Sequence, residues 1–523
     1  MFGQNLYTAL GIKYTPCRIL FLMTLALYML AIPFSRFMMS LAGVILVVNW
    51  FLEGFLERNL LQKVSQVLNS KILLAILLCY FVHLLWFIST KNIPFALQNI
   101  WIKVPLFFIP IIFYTNKPLQ RNEIRLILAI YVLGVLFSSL YGFFSCLHHA
   151  FDDKRSMAVF ISYVRFELNV CFAIFVSFYL LWQKDGWKLV KIFAVCALIW
   201  FLFLLIYAGL MTGIVLLIAI SCVLIIREII RQKKPLLRAV ALSLFLLTLS
   251  GMTLYISITA KNYFIAPPFD STTTERTADG NAYASDFDKR YIENGNYVFA
   301  YLCEPELEAA WNRRSTIDYS ELSFTLIRYL NSKGLHKDRL AVESLANEDI
   351  AHIENGIANV AYVHRLAFVK RLYELFWEIN DYHQTQTVVG YSFAQRLELW
   401  KISLFAIQKH PLLGVGTGDV RAAFANELEE KDSPLAFTNK RSHNQYFTFT
   451  IAFGIVGLLL ILFSIVYPTV ALNKFKSPLF LIFFLIVILS LFTEDTLEQQ
   501  DGVTFFAFFY SFFLFLVPVK YEE

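Results

Sequence analysis

Residues 189–226 read LVKIFAVCALIWFLFLLIYAGLMTGIVLLIAISCVLII, and this stretch decides the fold class of the chain. Lys191 is its single charged residue, and Gly209 divides it into two apolar runs. A helix of roughly 17–25 apolar residues is long enough to cross the hydrocarbon core of a bilayer. Comparable runs recur along the chain, at 16–36, 38–56, 72–90, 94–114, 126–147, 166–183, 189–208, 210–226, 237–256, 446–468, 477–493 and 503–519. The sequence therefore predicts an all-α, polytopic membrane protein with about twelve transmembrane helices.

The overall composition supports this class. Hydrophobic residues make up 58% of the 523 positions, Phe alone occurs 52 times, and the mean hydropathy is +0.59. A soluble domain averages about 45–50% apolar residues. The run at 94–114 is the least regular, because it contains Lys103, Pro105 and Pro110. Proline is tolerated within a span where neighbouring helices satisfy the freed carbonyls, so this run is retained as the fourth span.

The distribution of basic residues predicts the orientation. With a cytoplasmic amino terminus, the short inner segments carry 19 Lys and Arg, whereas the short outer segments carry six. Such an excess on the cytoplasmic side is what the positive-inside rule describes. Both termini are then cytoplasmic, and residues 257–445 lie outside. The net charge of +6 follows from this asymmetry, since residues 257–445 hold 25 acidic and 20 basic residues. A nucleic-acid partner, which would call for a clustered basic face, is not predicted.

The chain divides into three predicted parts. Residues 1–256 contain the first nine spans, 257–445 form a loop domain on the outer side of the membrane, and 446–523 contain the last three spans. Apolar residues at three- and four-residue spacing predict a mainly helical loop. Its predicted helices are Leu307–Arg314, Glu321–Leu330, Ile357–Asn380 and Ser392–Lys409.

The polar segment 395–451 is the best candidate for chemistry. His443 lies three residues before the tenth span, where a neutral imidazole can accept a proton from a hydroxyl group. The alternative is an interfacial histidine that only caps or anchors the helix. Arg396 begins a helix, and its guanidinium fork suits a diphosphate. An ordinary ion pair with Glu398 or another loop carboxylate is the alternative for this arginine.

Further polar residues are predicted on the same side of the membrane. Glu494 and Asp495 follow the eleventh span, and either could orient His443 or hold an acceptor sugar. The alternative is that both lie in a solvated outer turn. Arg165, at the outer start of the sixth span, is either an anchor or a phosphate ligand. The glycines of 414–419 do not form a dinucleotide fingerprint, because no strand precedes them and the third glycine comes one position early. They predict a tight turn leading into a helix from Val420, with Asp419 near its start, and an anion site at that helix end is the alternative. His148 and His149 lack companions at metal-ligand spacing, so no metal site is predicted.

The segment from Arg396 to Gly457, with the topology around it, resembles the O-antigen ligase family of bacterial envelope glycosyltransferases. The resemblance is carried by an Arg-x-x-x-Trp helix, a Pro-Leu-Leu-Gly-Val-Gly turn, and a His-Asn-x-Tyr motif that enters a span containing Phe-Gly-Ile-Val-Gly. These elements are Arg396 and Trp400, Pro411–Gly416, His443 with Asn444 and Tyr446, and Phe453–Gly457. The large outer loop between spans nine and ten is also similar to the family.

The resemblance implies transfer of an O-antigen or related polysaccharide from undecaprenyl diphosphate to a lipid A-core acceptor. The reaction would take place at the periplasmic face of the bacterial inner membrane, without a metal or other cofactor. In this scheme Arg396 binds the diphosphate and His443 acts on the acceptor hydroxyl. Substrate-binding roles are expected for Arg165, Arg441, Asn444, Glu494 and Asp495.

One position departs from the family. Members often carry Ser-Arg at the outer start of span eight, where this chain has Met211-Thr212. Methionine cannot bind phosphate, so a second cation is expected elsewhere, with Arg165 as the first candidate and Arg441 as the next.

Other functions remain open at the level of sequence. A polymerase that joins repeat units, or a protein O-oligosaccharyltransferase, would use the same donor and differ in the acceptor. From another class, a polysaccharide transporter or flippase would place charged residues near the middle of the membrane. The predicted spans are nearly free of charge, which favours the transferase.

Overall fold

The computed structural model describes residues 16–149, 154–267, 275–286, 291–364, 367–438 and 440–519. It is 74% helical. The strands found in these residues are Ile292–Glu293 (β1) and Asn296–Tyr297 (β2), which pair as a short antiparallel hairpin. The predicted all-α class is confirmed.

The helices that precede this hairpin correspond closely to the apolar runs of the sequence. They are α1 (Pro16–Ala31), α2 (Arg36–Leu56), α3 (Leu60–Asn69), α4 (Lys71–Leu85), α5 (Ile93–Lys103), α6 (Pro105–Thr115), α7 (Arg121–His149), α8 (Tyr163–Trp182), α9 (Lys188–Tyr207), α10 (Met211–Arg231) and α11 (Pro235–Phe264).

The helices after the hairpin begin with seven that precede the glycine turn at 414–419. These are α12 (Glu304–Arg314), α13 (Tyr319–Ser332), α14 (Arg339–Ser344), α15 (Asn347–Glu354), α16 (Ala361–His364), α17 (Ala367–Thr385) and α18 (Ser392–Lys409). The remaining helices are α19 (Val420–Glu430), α20 (Gln445–Ala471), α21 (Pro478–Ser490) and α22 (Gln500–Ser511).

Among the described residues, eight candidate helices are long and apolar enough to cross a membrane. Helices α3 and α4 pass the same test only as a pair bent by 82°, and three further apolar helices are shorter, namely α1, α21 and Gln500–Leu516. Each predicted span thus falls on one of these helices, while the total of twelve spans stays a prediction. The doubtful fourth run is a 23-residue candidate, Ile93–Thr115. Pro105 is tolerated there because it begins α6, where its missing amide hydrogen would have no partner.

The chain folds as two compact units, residues 1–222 with 398–523 and residues 223–397. In the first unit the abundant phenylalanines form the core. The ring of Phe172 contacts the rings of four other phenylalanines at centroid distances between 4.9 and 6.2 Å, namely Phe483, Phe505, Phe509 and Phe513. Edge-to-face packing of this kind stabilises an apolar interior in which there is little else to specify a partner.

The second unit has its own core, centred on fully buried Trp311, Leu326 and Tyr329. An ion pair between Arg328 and Glu293 (2.8 Å) lies within it, and the guanidinium also stacks on the ring of Trp377, 3.4 Å from its centroid. Two predicted loop helices have slightly different ends, Glu304–Arg314 and Tyr319–Ser332, and Ser392–Lys409 is found with the predicted ends. The predicted helix Ile357–Asn380 is instead described as two helices, Ala361–His364 and Ala367–Thr385, and residues 365–366 lie outside the described residues.

Helix α20 of the first unit is broken at Gly454, which has a φ of 64°. The Pro411–Gly416 turn packs against this break, and its backbone satisfies the groups that the break leaves unpaired. Four hydrogen bonds join them: Ile455 N–H to Pro411 O (2.9 Å), Val456 N–H to Leu412 O (3.3 Å), Val415 N–H to Ile451 O (2.9 Å) and Gly416 N–H to Ala452 O (2.8 Å). Non-helical backbone is tolerated inside a span where protein groups pair with it in this way.

Candidate functional site

The segment Ser442–Asn444 enters α20 through an unusual turn. His443 has a φ of 48°, in the left-handed region that non-glycine residues rarely occupy. The side-chain oxygen of Asn444 accepts hydrogen bonds from the amides of Tyr446 (3.0 Å) and Phe447 (3.2 Å), and so caps the helix. This cap gives Asn444 a structural role, and the substrate contact expected for it stays a prediction.

The turn brings His443 to Glu494. The imidazole Nδ1 lies 3.3 Å from Glu494 Oε2, with the histidine side chain 32% exposed and the glutamate side chain 12% exposed. When the proton is on Nδ1, the ring donates it to the carboxylate and presents Nε2 as an acceptor. A carboxylate in this position also stabilises the imidazolium that forms when Nε2 takes up a proton. The pair therefore has the arrangement of a general base with its orienting group.

Asp495 has a different environment from its neighbour. Its Oδ1 accepts hydrogen bonds from the hydroxyls of Thr448 (2.7 Å) and Ser442 (3.1 Å), and the residue is buried. Burial raises the pKa of Asp495, and the hydrogen bond from Thr448 only partly counters that effect. Asp495 thus fixes the turn that carries His443, while Glu494 contacts the imidazole itself.

Arg165, on α8, contacts the segment after α21 that carries Glu494 and Asp495. Its Nη2 donates to the backbone carbonyl of Asp495 (3.0 Å), its Nη1 donates to Ser162 Oγ (3.3 Å), and the residue is buried. Near Met211, the amide of Gly213 donates to the carboxylate of Glu167 (3.3 Å). The start of α10 therefore has a buried carboxylate as a neighbour, at the position where family members often carry an arginine.

A small, partly open cleft lies next to the turn. Three cationic side chains line it, Arg421, Lys440 and Arg441, together with one carboxylate, Glu498. Within the described part of the chain, no acidic group forms an ion pair with any of these three cations. Burial and the nearby Arg441 lower the pKa of Arg421, whose guanidinium also stacks on Phe95, 4.6 Å from the ring centroid. The cleft is therefore a positively charged site that an anion would neutralise.

Glu498, the carboxylate of this cleft, is bound by two residues that do not line the cleft. Glu498 Oε1 lies 3.3 Å from Nζ of Lys103 and accepts a hydrogen bond from Gln445 Nε2 (3.0 Å). Burial would raise the pKa of Glu498, but Lys103 and then Arg441 outweigh it and bring the pKa down to about 2. Glu498 is therefore ionised at neutral pH.

The glycine turn leads into α19 at Val420, as predicted. Both carboxylate oxygens of Asp419 bind the segment just before α5, where they accept hydrogen bonds from the amides of Lys91 (2.7 Å) and Asn92 (2.9 Å). Asp419 therefore fixes the segment that leads into a neighbouring helix. These two hydrogen bonds explain the presence of Asp419 at this position, and no bound anion is needed to explain it.

Arg396 lies on α18, in the second unit. The start of this helix is capped by Glu378, which accepts from the amides of Phe393 and Ala394. Burial raises the pKa of Glu378, and the positive charge of Arg396 acts in the opposite direction. A loop carboxylate thus lies within electrostatic range of Arg396, and its expected role toward a diphosphate stays a prediction.

Four residues of this arrangement were not predicted from the sequence, namely Lys103, Arg421, Lys440 and Glu498. Arg421 lies in a helix with no motif around it, so nothing in its sequence context distinguishes it. Lys103 was visible as a charge within an apolar run, and its pairing with Glu498 explains that charge. Among the described residues, no group of three or more His, Cys, Asp or Glu could hold a metal ion.

These features define a multi-pass, all-helical membrane protein with a histidine–carboxylate pair beside a cationic cleft. Residues 357–462 match the family model described as O-Antigen ligase (Wzy_C), which confirms the resemblance to the O-antigen ligase family. The family supports a membrane glycan-processing function of the ligase or polymerase type, with lipid-linked glycans as substrates. A comparison with curated proteins gave no significant match.

Proposed function

We propose that this protein is a glycosyltransferase that moves a glycan from undecaprenyl diphosphate to a hydroxyl group of a lipid A-core acceptor. The active site would face the periplasm from the bacterial inner membrane. The observation that carries the proposal is the His443–Glu494 contact, two residues along the chain from an arginine of the cationic cleft. A base and an anion site at one place are what transfer from a diphosphate-linked donor requires.

In the proposed reaction, Nε2 of His443 takes the proton of the acceptor hydroxyl. The acceptor oxygen forms a bond to the anomeric carbon of the donor sugar, and the bond from that carbon to the diphosphate oxygen breaks. The electron pair leaves with undecaprenyl diphosphate. Glu494 stabilises the imidazolium during this step, and general-base help of this kind contributes about 10²–10⁴ in rate.

The cleft supplies the donor site in this proposal. Arg441 and Arg421 can each donate two parallel hydrogen bonds to phosphate oxygens, and Lys440 adds a third positive charge. Three cations share the cleft with a single carboxylate, so the cleft keeps an excess of positive charge, and a diphosphate would neutralise that excess without a metal ion. The family motif also assigns diphosphate binding to Arg396, and this assignment rests on the motif alone.

The test is complementation of a deletion strain with the wild-type protein or with His443→Ala, followed by gel analysis of envelope glycolipids. A ligase predicts that the deletion and the His443→Ala strain accumulate unmodified lipid A-core. His410→Ala is the matched control, because His410 is an exposed histidine of the same unit, and it should restore the glycan fully.

The same gels distinguish the alternatives. Core that carries a single repeat unit would indicate a polymerase, and loss of glycan from proteins alone would indicate a protein O-oligosaccharyltransferase. Full glycan attachment in the His443→Ala strain would remove this histidine from the reaction and contradict the proposal.

A further inference from the structure

Lys103 is a fully buried lysine on a helix that belongs to a candidate membrane span. Its Nζ donates to the backbone carbonyl of Leu497 and lies 3.3 Å from Glu498 Oε1. A charge at such a position is costly and is retained where it has a specific partner or a function. Lys103 does not itself line the cationic cleft, whereas Glu498 does.

Glu498 is therefore a carboxylate with two possible cationic partners. On one side Lys103 holds it, and on the other side it shares the cleft with Arg441. Gln445 and Asn99 also donate to its oxygens, at 3.0 and 3.4 Å, and help to keep it in place. The low pKa of Glu498 agrees with strong attraction from both Lys103 and Arg441.

We propose that Lys103 is a positioning residue for donor binding, because its pairing with Glu498 keeps Arg441 available to the diphosphate. Without the lysine, the buried carboxylate would have Arg441 as its remaining strong partner. Glu498 would then neutralise Arg441 and compete with the donor for it. The inference rests on the proposed function, since it takes the cleft as the site of the donor diphosphate.

Two variants break the same ion pair from opposite ends and should have opposite effects. Lys103→Met leaves Glu498 to Arg441 and should weaken the binding of inorganic pyrophosphate about tenfold, a size expected for one charge at this range. Glu498→Gln keeps an acceptor for Lys103 but removes the competing negative charge. It should bind pyrophosphate at least as tightly as the wild type. A pair with only a structural role predicts weaker binding in both variants.

The measurement is calorimetric titration of the purified full-length protein in detergent with pyrophosphate, alongside its thermal unfolding. The double variant Lys103→Met/Glu498→Gln leaves no unpaired charge and should return the affinity to within about threefold of the wild type. If Lys103→Met alone does not fold, the double variant still allows the affinity for pyrophosphate to be measured without Lys103. Lys63→Met is the matched control, because it breaks another largely buried pair, Lys63 with Glu53 (2.9 Å), in the same unit. Its pyrophosphate affinity should be unchanged.

The inference is overturned if Lys103→Met binds pyrophosphate as well as the wild type does, if Glu498→Gln binds more weakly, or if the double variant stays weak. A wild-type protein that does not bind pyrophosphate would remove the cleft as donor site and the inference with it. The role of His443 would be untouched by that result, since the complementation experiment tests it separately.

Discussion

At His443 the backbone occupies a conformation that costs a non-glycine residue about 1–2 kcal/mol. Hydrogen bonds on both sides of the turn offset this cost. Ser442 Oγ lies within donating distance of the carbonyl oxygen of Asn444 (2.8 Å) and of Asp495 Oδ1 (3.1 Å), which share its one hydrogen, and Thr448 donates to Asp495. Strained backbone that is held by its surroundings in this way is common where a side chain must be aimed at a reaction. The two adjacent carboxylates after α21 have different tasks: Asp495 holds the turn, and Glu494 contacts the imidazole of His443.

Glu494→Gln and Asp495→Asn should differ sharply in glycan transfer. In the first variant the amide oxygen can still accept from Nδ1 of His443, but the charge that stabilises the imidazolium is lost, so the transfer rate should fall at least about 10²-fold. In the second, the amide oxygen still accepts from both hydroxyls, so the rate should stay close to that of the wild type. Transfer rates in membrane vesicles check this, and equal losses in the two variants would contradict the division of tasks.

The raised pKa of Asp495 predicts how the stability of the Asp495→Asn variant depends on pH. Because burial raises this pKa in the folded protein, the ionised carboxylate destabilises the fold at neutral pH, and protonation on acidification relieves that cost. Asp495→Asn should therefore be at least as stable as the wild type at pH 7. The difference should shrink as the pH falls from the raised pKa toward the ordinary value of 3.8.

At the scale of elements, the contact between the Pro411–Gly416 turn and the break in α20 depends on two glycines. A Cβ atom on Gly454 would lie 2.1 Å from the carbonyl carbon of Leu412, and one on Gly414 would lie 2.5 Å from the backbone of Ala452. Both glycines also have positive φ, of 64° and 65°. The close approach of two backbones therefore requires residues without side chains at these positions.

Gly454→Ala should destabilise the protein by more than about 2 kcal/mol, since the left-handed backbone alone accounts for about 1–2 kcal/mol and the clash adds to it. Thermal unfolding in detergent is the measurement. Gly251→Ala is the control, because this glycine lies within α11 with nothing within 4 Å of the added atom. The control should be neutral or slightly stabilising, and a Gly454→Ala protein as stable as the control would argue against the contact.

At the scale of the whole molecule, the charge distribution predicts that both termini are cytoplasmic and that residues 257–445 are periplasmic. Reporter fusions at Lys234 and Asn296 test this, since α11 lies between the two positions. A phosphatase that is active only in the periplasm should give signal at Asn296 and none at Lys234. A fluorescent reporter that folds only in the cytoplasm should give the reverse, and the same signal at both positions would contradict the orientation.

The sequence by itself determined the class of this protein. The features that determine it are local: the apolar runs, the helical spacing of apolar residues in the loop, and the motif from Arg396 to Gly457. Each of these depends only on residues that are close together in the chain. The helix α18 was predicted with the residues at which it begins and ends in the structure, Ser392 and Lys409. The resemblance to the O-antigen ligase family and the choice of His443 as a candidate follow from the same local information.

Only the tertiary structure decided which polar groups meet. Glu494 and Asp495 are adjacent in the chain and similar in chemistry, yet folding places one against His443 and the other against Ser442 and Thr448. Lys103 and Glu498 are 395 residues apart, and Arg421 joins Arg441 in the cleft without any motif. The physical reason is that a buried charge requires a partner. In an apolar chain, local periodicity specifies only which helix faces are buried. Which partner a buried charge meets therefore depends on how helices that are distant in the chain pack together.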